Sequence, residues 1–300
     1  MRIAVTGATG FVGARLLDRA IAAGHRVNAL TRRAQPPREG VAWVSGALNT
    51  ADALAELVTE VDAVIHVAGV VNAPDHAGFA EGNIAGTEAI VTAATRGGVR
   101  RFVHVSSLAA REPQLSNYGW SKAEAERVVR AAAPDWDMVR PPAIYGPGDM
   151  DQLELFRLAR RGLALTPPAG RLSLLHVDDL ARLLLALAQA PAGSATYEAD
   201  DGASGGYSYA DFARAIGTAL GKRVRAIAMP RPLMEVGAWL DRLARGDKAR
   251  LTPDRVAYFC HPDWVIDPAH RPPPTLWQPV VPTPAGLADT AAWYRSRGLL

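Results

Sequence analysis

The sequence predicts an α/β fold: a doubly wound parallel sheet with a smaller lobe grown from its C-terminal half. Three observations predict it. Strand-like and helix-like segments alternate as far as Arg140, the rhythm of βαβ units. Several strand-like runs are continuously apolar, as in Ala63-Val-Ile-His-Val-Ala68, which suits strands covered on both faces. A glycine-rich turn joins the first strand to the first helix.

The strands are expected at Arg2–Thr6, Arg26–Thr31, Ala42–Val44, Asp62–Val67, Arg101–Ser106 and Trp136–Arg140. Between them, Val12, Leu16, Ala20 and Ala23 recur at helical spacing, and Phe79–Arg96 and Ser116–Ala132 have helix length. After Pro141 the rhythm changes. Helices are expected at Asp151–Arg161, at His176–Gln189, after Ser208, and at Arg231–Arg245. Ser208-Tyr-Ala-Asp211 reads as a capping box, Phe212, Ile216 and Leu220 as an apolar face, and Gly221 as a stop. Residues 262–284 hold eight prolines and cannot be regular helix or central strand, so they are expected to run extended, with Trp264 and Trp277 as anchors. Thr283 is expected to cap, and Pro284 to start, a last helix ending near Arg297. Two intertwined parts follow: residues 1–145 as a dinucleotide-binding domain and 146–300 as a substrate lobe.

Composition excludes several functional classes. With 49% hydrophobic and 21% charged residues the chain is an ordinary globular protein. Its net charge is only +3 and its basic residues are scattered, so neither nucleic acid nor a membrane is expected as a partner. One cysteine, Cys260, rules out an internal disulfide framework and fits a reducing compartment. The N-terminus enters the first strand with no leader, and no apolar run suits a membrane span, so a cytoplasmic location is expected. No H-E-x-x-H and no cysteine–histidine set is found, so no metal site is expected.

Thr6-Gly7-Ala8-Thr9-Gly10-Phe11-Val12-Gly13 follows the first strand and opens the first helix. That unit gathers backbone N–H groups and a positive helix end where a pyrophosphate can sit without a clashing Cβ. The second strand ends Thr31-Arg32-Arg33, with no acid to hold a ribose 2′-OH. Two guanidiniums there suit a 2′-phosphate, so NADP is expected, with NAD as the alternative.

Tyr118 and Lys122 lie four residues apart, on one face of the Ser116–Ala132 helix. An ammonium beside a phenol favours the phenolate and brings a tyrosine toward useful acid/base range. The lysine is also long enough to reach a ribose hydroxyl. Only three lysines occur in the chain, against thirty arginines, so a lysine here is not this chain's default surface cation. Upstream, a strand ends in Ser106-Ser107, at the carboxyl edge where such sheets bind ligands. Ser107 is preferred over Ser106 as the hydroxyl that positions a substrate carbonyl.

These motifs together resemble the extended short-chain dehydrogenase/reductase superfamily, the NAD-dependent epimerase/dehydratase group. TGATGFVG at 6–13, VDAVIHVAG at 61–69, NIAGT at 83–87, RFVHVSS at 101–107, YGWSK at 118–122, VRPPAIYGPGD at 139–149 and HVDDLA at 176–181 fall in its order. The resemblance implies a Rossmann-type sheet and a catalytic triad of Ser107, Tyr118 and Lys122, with Asn83 supporting the site through structure or a water relay. It implies a cofactor lined by Gly7, Thr9, Gly10, Phe11, Val12, Gly13, Arg32, Leu48, Val67, Ala68 and Gly69, with Arg33 beside Arg32. It also implies a homodimer paired through a four-helix bundle that includes the Ser116–Ala132 helix. Many relatives carry Gly-Asp-Leu where this chain has Gly46-Ala47-Leu48, so the acid that contacts adenine is missing here.

Other features read as structure. His66 is expected to be a satisfied core histidine, Asp178 and Asp179 a helix start, and Leu183-Leu184-Leu185 a packed core helix. The Arg231–Arg245 helix could serve as a substrate lid or an oligomer contact. The expected function is hydride transfer between NADP(H) and a small carbonyl or alcohol. A sugar-nucleotide epimerase or dehydratase is the alternative, with Arg157, Arg160, Arg161 and Arg171 available for a diphosphate. A non-catalytic NAD(P)-binding sensor or assembly subunit on the same fold is a third reading.

Overall fold

Arg2-Ile-Ala-Val-Thr6 forms β1, and its apolar run is buried because it lies at the middle of the main sheet. The computed structural model describes residues 1–133, 135–191, 193–246, 249 and 251–300. They divide into two units. The first is Met1–Pro141, Leu180–Glu198 and His270–Gln278; the second is Pro142–Asp179, Ala199–Ala269 and Pro279–Leu300.

In the first unit the elements run β1 (Arg2–Thr6), α1 (Phe11–Ala22), β2 (Arg26–Thr31), β3 (Val41–Ser45), α2 (Ala51–Leu57), β4 (Ala63–His66), α3 (His76–Phe79), a π-helical stretch (Ala80–Ala85), α4 (Gly86–Arg96), β5 (Arg101–Val105), a 3-10 turn (Leu108–Arg111), α5 (Asn117–Ala132) and β6 (Asp135–Val139). The six expected strands all form, each within about one residue of its expected bounds. With β11 (Thr196–Tyr197) they make a seven-stranded sheet in the order β11-β6-β5-β4-β1-β2-β3, every pair parallel. The order reverses between β1 and β4, and such a switch point opens a crevice at the carboxyl ends of the strands.

One face of the sheet packs on α2, α4 and α5 through Leu54, Leu57, Ile90, Val91, Phe102, Val129 and Met138. Each such side chain contributes about 1.5–3 kcal/mol by leaving water. Two features were not legible. α2 is only seven residues long, too short to show a period. The single helix expected over 79–96 is interrupted by the π-helical stretch, which buries Asn83. Such bulges re-aim one side chain at a local cost in regular bonding.

The second unit holds short strands and helices. β7 (Ala143–Tyr145) pairs with β10 (Leu174–His176), and β8 (Leu163–Thr166) with β13 (Arg225–Ala228), both parallel. β9 (Arg171–Leu172) lies between β12 (Tyr207–Ser208) and β14 (Asp263–Trp264). The helices are α6 (Leu153–Arg160), α8 (Tyr209–Ala219), α9 (Arg231–Arg245), α10 (Pro253–Phe259) and α11 (Thr283–Ser296). α7 (Val177–Gln189) starts at the end of the Pro142–Asp179 segment and continues in the first unit, where Leu183, Leu184 and Leu185 are buried. Ser208 caps α8 as its sequence predicts, its Oγ accepting the Asp211 N–H at 3.0 Å. Thr283 does not cap α11. It is the first residue of the helix, and its hydroxyl is spent on Asp201. The proline-rich segment is anchored by buried Trp264 and Trp277.

Candidate active site

The three glycines of the first turn serve different needs. Gly7 adopts φ +71°, and a Cβ there would lie 2.7 Å from the Ala68 nitrogen. A Cβ at Gly13 would strike the Gly7 carbonyl oxygen. Gly10 caps α1 without a side chain, and no acid lies in the first turn. The leading N–H groups of α1 and its positive end are therefore not answered by the protein's own carboxylates. A pyrophosphate fits that donor set. Thr9 and Gly10 form the exposed tip of the turn, and Phe11, Val12 and Gly13 open the helix. Val67, Ala68 and Gly69 follow β4 across the switch point. Arg32 and Arg33 are exposed beyond the end of β2. Leu48 sits farther along that edge, packed so closely on α4 that a Cβ at Gly86 would lie 2.7 Å from it.

A buried polar chain ties these segments together. The Thr87 hydroxyl donates to the Asn83 carbonyl (2.6 Å), so it accepts from His66 Nε2 (3.1 Å). That fixes the His66 tautomer: Nδ1 is bare and accepts the Thr6 hydroxyl (2.6 Å). Thr6 Oγ1 in turn accepts the Ala68 N–H (3.2 Å). Burial, with a smaller contribution from the charge of Lys122, holds the His66 pKa down to about 3, so the ring is neutral. The core-histidine expectation is met, and the ring also braces both cofactor-side loops.

Asn83 extends the chain toward α5. Its Oδ1 accepts the Val70 N–H (2.7 Å), and its Nδ2 donates to the Val70 carbonyl (3.0 Å) and to Ser121 Oγ (2.8 Å). The Ser121 hydroxyl in turn donates to the Tyr118 carbonyl (2.8 Å).

α5 starts where Ser116 Oγ accepts the Gly119 N–H (3.0 Å). Tyr118 is half-buried, its ring tilted against Phe79 with centroids 6.3 Å apart. Lys122 is buried, and its Nζ donates to the Val105 carbonyl at 2.7 Å. Burial lowers its pKa to about 8, against the pull of nearby Glu126. A Cβ on Gly69 would lie 3.7 Å from that Nζ and 2.9 Å from Asn83 Oδ1, so only glycine leaves the approach clear.

The two serines part company. Ser106 Oγ donates to buried Glu126 (2.6 Å). Ser107 Oγ accepts the Ala109 N–H (3.2 Å), which uses a lone pair and leaves the hydroxyl proton to donate. Lys122 and Asn83 thus meet beside Gly69, while Ser107 follows the carboxyl end of β5 and Tyr118 lies one turn before Lys122 on α5.

Sequence reasoning missed the support beneath them. Glu126 takes Arg140 in a two-point contact (both 2.7 Å) and Arg130 at 2.8 Å. Burial pushes its carboxyl upward, but the bonds and charge of Arg140, the Ser106 hydroxyl and Arg130 outweigh it and leave the pKa below the usual range. The signal was present: Tyr118, Lys122, Glu126 and Arg130 repeat at steps of four.

In the second unit, Arg157 pairs with Glu154 (2.7 Å), and Arg171 donates to the Gly205 and Gly206 carbonyls (2.5 and 2.8 Å). Two of the four arginines considered for a diphosphate are therefore committed to local structure. Asp179 receives the Val280 and Val281 N–H groups, a structural role. No cluster of metal-ligating side chains occurs among the described residues.

Residues 3–199 match the model of the NAD dependent epimerase/dehydratase family. The chain is 37% identical to the ceramide reductase of Caulobacter vibrioides (strain NA1000 / CB15N), over 99% of this chain and 96% of that protein. It is 30% identical to the 4-hydroxy-2-methyl-3-oxo-4-farnesyl-3,4-dihydroquinoline-1-oxide ketoreductase of Stigmatella aurantiaca, over 68% and 69% of the two chains. Its fold matches that of MoeE5, solved with UDP-glucuronic acid and NAD, with a TM-score of 0.76 at 22% identity, over 99% of this chain and all of the other.

Proposed function

The chain belongs to the NAD dependent epimerase/dehydratase family, and from that membership we propose that it is an NADPH-dependent reductase of a ketone carried on a ceramide-like lipid. That it is an NAD(P)-dependent oxidoreductase of the extended short-chain dehydrogenase/reductase type follows from its reductase relatives. The lipid substrate is proposed from the near-full-length likeness to a ceramide reductase.

The observation that carries the mechanism is Lys122, buried and pinned to the Val105 carbonyl one turn after Tyr118. An ammonium has three protons, and Val105 uses one. The remaining protons would hold a ribose hydroxyl of the dinucleotide, and the ammonium charge would favour the Tyr118 phenolate. When bound, the dinucleotide would supply the hydride. Tyr118 donates the proton to the carbonyl oxygen, and Ser107 holds that oxygen with its hydroxyl. Asn83 does not touch the reacting atoms. It positions α5 against the Gly69–Val70 backbone. The preference for NADPH rests on Arg32 and Arg33, exposed at the end of β2 and without an ion-pair partner among the described residues.

The test is NADPH consumption by the purified protein on a long-chain ketone with a ceramide-like headgroup. Turnover that Tyr118→Phe abolishes, with NADPH affinity kept, is the expected result. Protein that retains NAD and converts a sugar nucleotide without net NADPH loss would overturn it.

A further inference from the structure

α9 turns its apolar side away from the protein. Leu233, Val236, Trp239, Leu240 and Leu243 are each between 51% and 73% exposed. At 100° per residue the five fall within an arc of about 120°. The side that rests on its own unit is another one. Ala238 is buried, Gly237 lies against Leu251, and Asp241 accepts the Leu251 N–H at 2.9 Å. A surface helix normally packs its apolar stripe inward. Single exposed apolar residues need no explanation, but five on one face do.

The same unit presents a second apolar strip with a basic rim. β13 leads into α9 through Met229 and Pro230 and pairs with β8, with Leu165 opposite Ile227. Leu163, Leu165 and Ile227 are all exposed. At the amino ends of the two strands, Arg225 N donates to the Gly162 carbonyl (2.9 Å). That pairing sets Arg160 and Arg161 beside Lys222, Arg223 and Arg225, and all five are exposed. No Asp or Glu occurs in residues 155–177 or 212–234. On α9 the two acids are already taken, Glu235 by Arg231 (2.9 Å) and Asp241 by Arg245 (3.2 Å).

We propose that β8, β13 and α9 form a docking face for an anionic phospholipid surface. The leucines and Trp239 enter the headgroup boundary, and the five cations meet lipid phosphates. Charge complementarity selects this occupant. A second copy of the chain would bring the same five cations to segments that hold no carboxylate to answer them. The sequence concealed the feature because the cations are scattered along the chain and meet only through the β8–β13 register. Docking would bring the enzyme to a substrate that itself resides in lipid, and to that extent it rests on the proposed lipid ketone.

The experiment is co-sedimentation of the full chain with phosphatidylcholine vesicles, with and without phosphatidylglycerol, at low and high salt. The variants are Trp239→Glu with Leu243→Glu, and Lys222→Glu with Arg223→Glu; all four side chains are exposed, so the fold should survive. The expected result is binding to the phosphatidylglycerol vesicles that high salt weakens, and that each double variant lowers by at least about ten-fold. Turnover of a short, water-soluble ketone should be unchanged in both. Absence of vesicle binding by the wild type overturns the proposal. So does a wild-type dimer that Trp239→Glu with Leu243→Glu splits into monomers, which would make this face an interface between copies. Vesicle binding as expected, without turnover of any lipid ketone, supports the docking face and defeats only the substrate reading.

Discussion

Asn83 and Ser121, 38 residues apart in sequence, share a buried hydrogen bond of 2.8 Å that fastens the Val70 backbone to the turn of α5 bearing Tyr118. Both ends of the Asn83 amide are in use, so its oxygen and nitrogen cannot be exchanged without loss. Asn83→Asp keeps the acceptor for Val70 N–H but faces the Val70 carbonyl without a donor. We expect Asn83→Asp and Asn83→Ala each to cost roughly 1–3 kcal/mol of stability and to lower kcat by about ten-fold or more. Ser121→Ala should lower kcat less and leave the KM for NADPH near wild type. Urea titration and steady-state kinetics check this; wild-type kcat in Asn83→Ala would remove Asn83 from the site.

Lys122 is expected to set an alkaline limit. Its ammonium is charged below about pH 8 and lost above it. kcat/KM, which reports the free enzyme, should therefore fall as the pH rises through that value. Lys122→Arg stays charged, so its weaker activity should show no such limb. An identical limb in both proteins would assign it to another group. The same shift acts on stability. The unfolded lysine holds its proton to about 10.5 while the folded one releases it near 8, so between those values the folded state gains with rising pH.

Glu126 and Arg140 should behave as a pair. Removing Arg140 leaves buried Glu126 with Arg130, and removing Glu126 leaves Arg140 with Glu198 at 3.5 Å, so Glu126→Gln and Arg140→Met are each expected to cost up to about 3–5 kcal/mol. The double variant Glu126→Gln/Arg140→Met should cost less than the two singles combined, which a double-mutant cycle in urea measures. Because the Glu126 pKa is lowered by folding, its contribution is present above the unfolded carboxyl range and fades as the pH falls toward the folded value. Glu126→Gln should lose that part of the acid dependence.

Much of the site was legible because its signals are local. Gly7, Gly10 and Gly13 belong to one turn, and Tyr118 and Lys122 to one helical face. What was hidden depends on register. Thr6, His66 and His104 lie side by side only because β1, β4 and β5 pair as they do. The burial of Glu126 depends on Arg140, which comes beside it from the residue after β6. The strands β7 to β14 escaped notice because two to four residues carry no period. The π-helical turn has no composition that marks it.

The proposed preference for NADPH rests on Arg32 and Arg33. Replacing both with alanine should weaken NADPH by at least about ten-fold through loss of a charge-assisted phosphate contact, and change NADH by less than about three-fold. Binding titrations with both dinucleotides decide it, and an equal loss for the two would place the arginines outside the 2′-phosphate site.

His66 and His104 stack with ring centroids 5.3 Å apart, yet they should respond oppositely to substitution. Both nitrogens of His66 are bonded, to Thr6 and Thr87, so His66→Leu leaves the buried Thr6 hydroxyl without its acceptor and Thr87 without the His66 N–H, and should destabilise by roughly 1–3 kcal/mol. His104 is fully buried, and neither of its nitrogens has a hydrogen-bond partner among the described residues. His104→Leu removes two polar atoms from the interior and should raise stability. Burial, followed by the charge of Lys122, lowers both pKa values, that of His66 to about 3. The unfolded rings take up protons below about 6.5, so the wild type should lose stability as the pH falls from there. His104→Leu should flatten that loss. Urea midpoints at about pH 7 and about pH 5.5 measure it. A variant with the wild-type slope and a lower midpoint would mean that His104 is stabilised by something other than its protein surroundings.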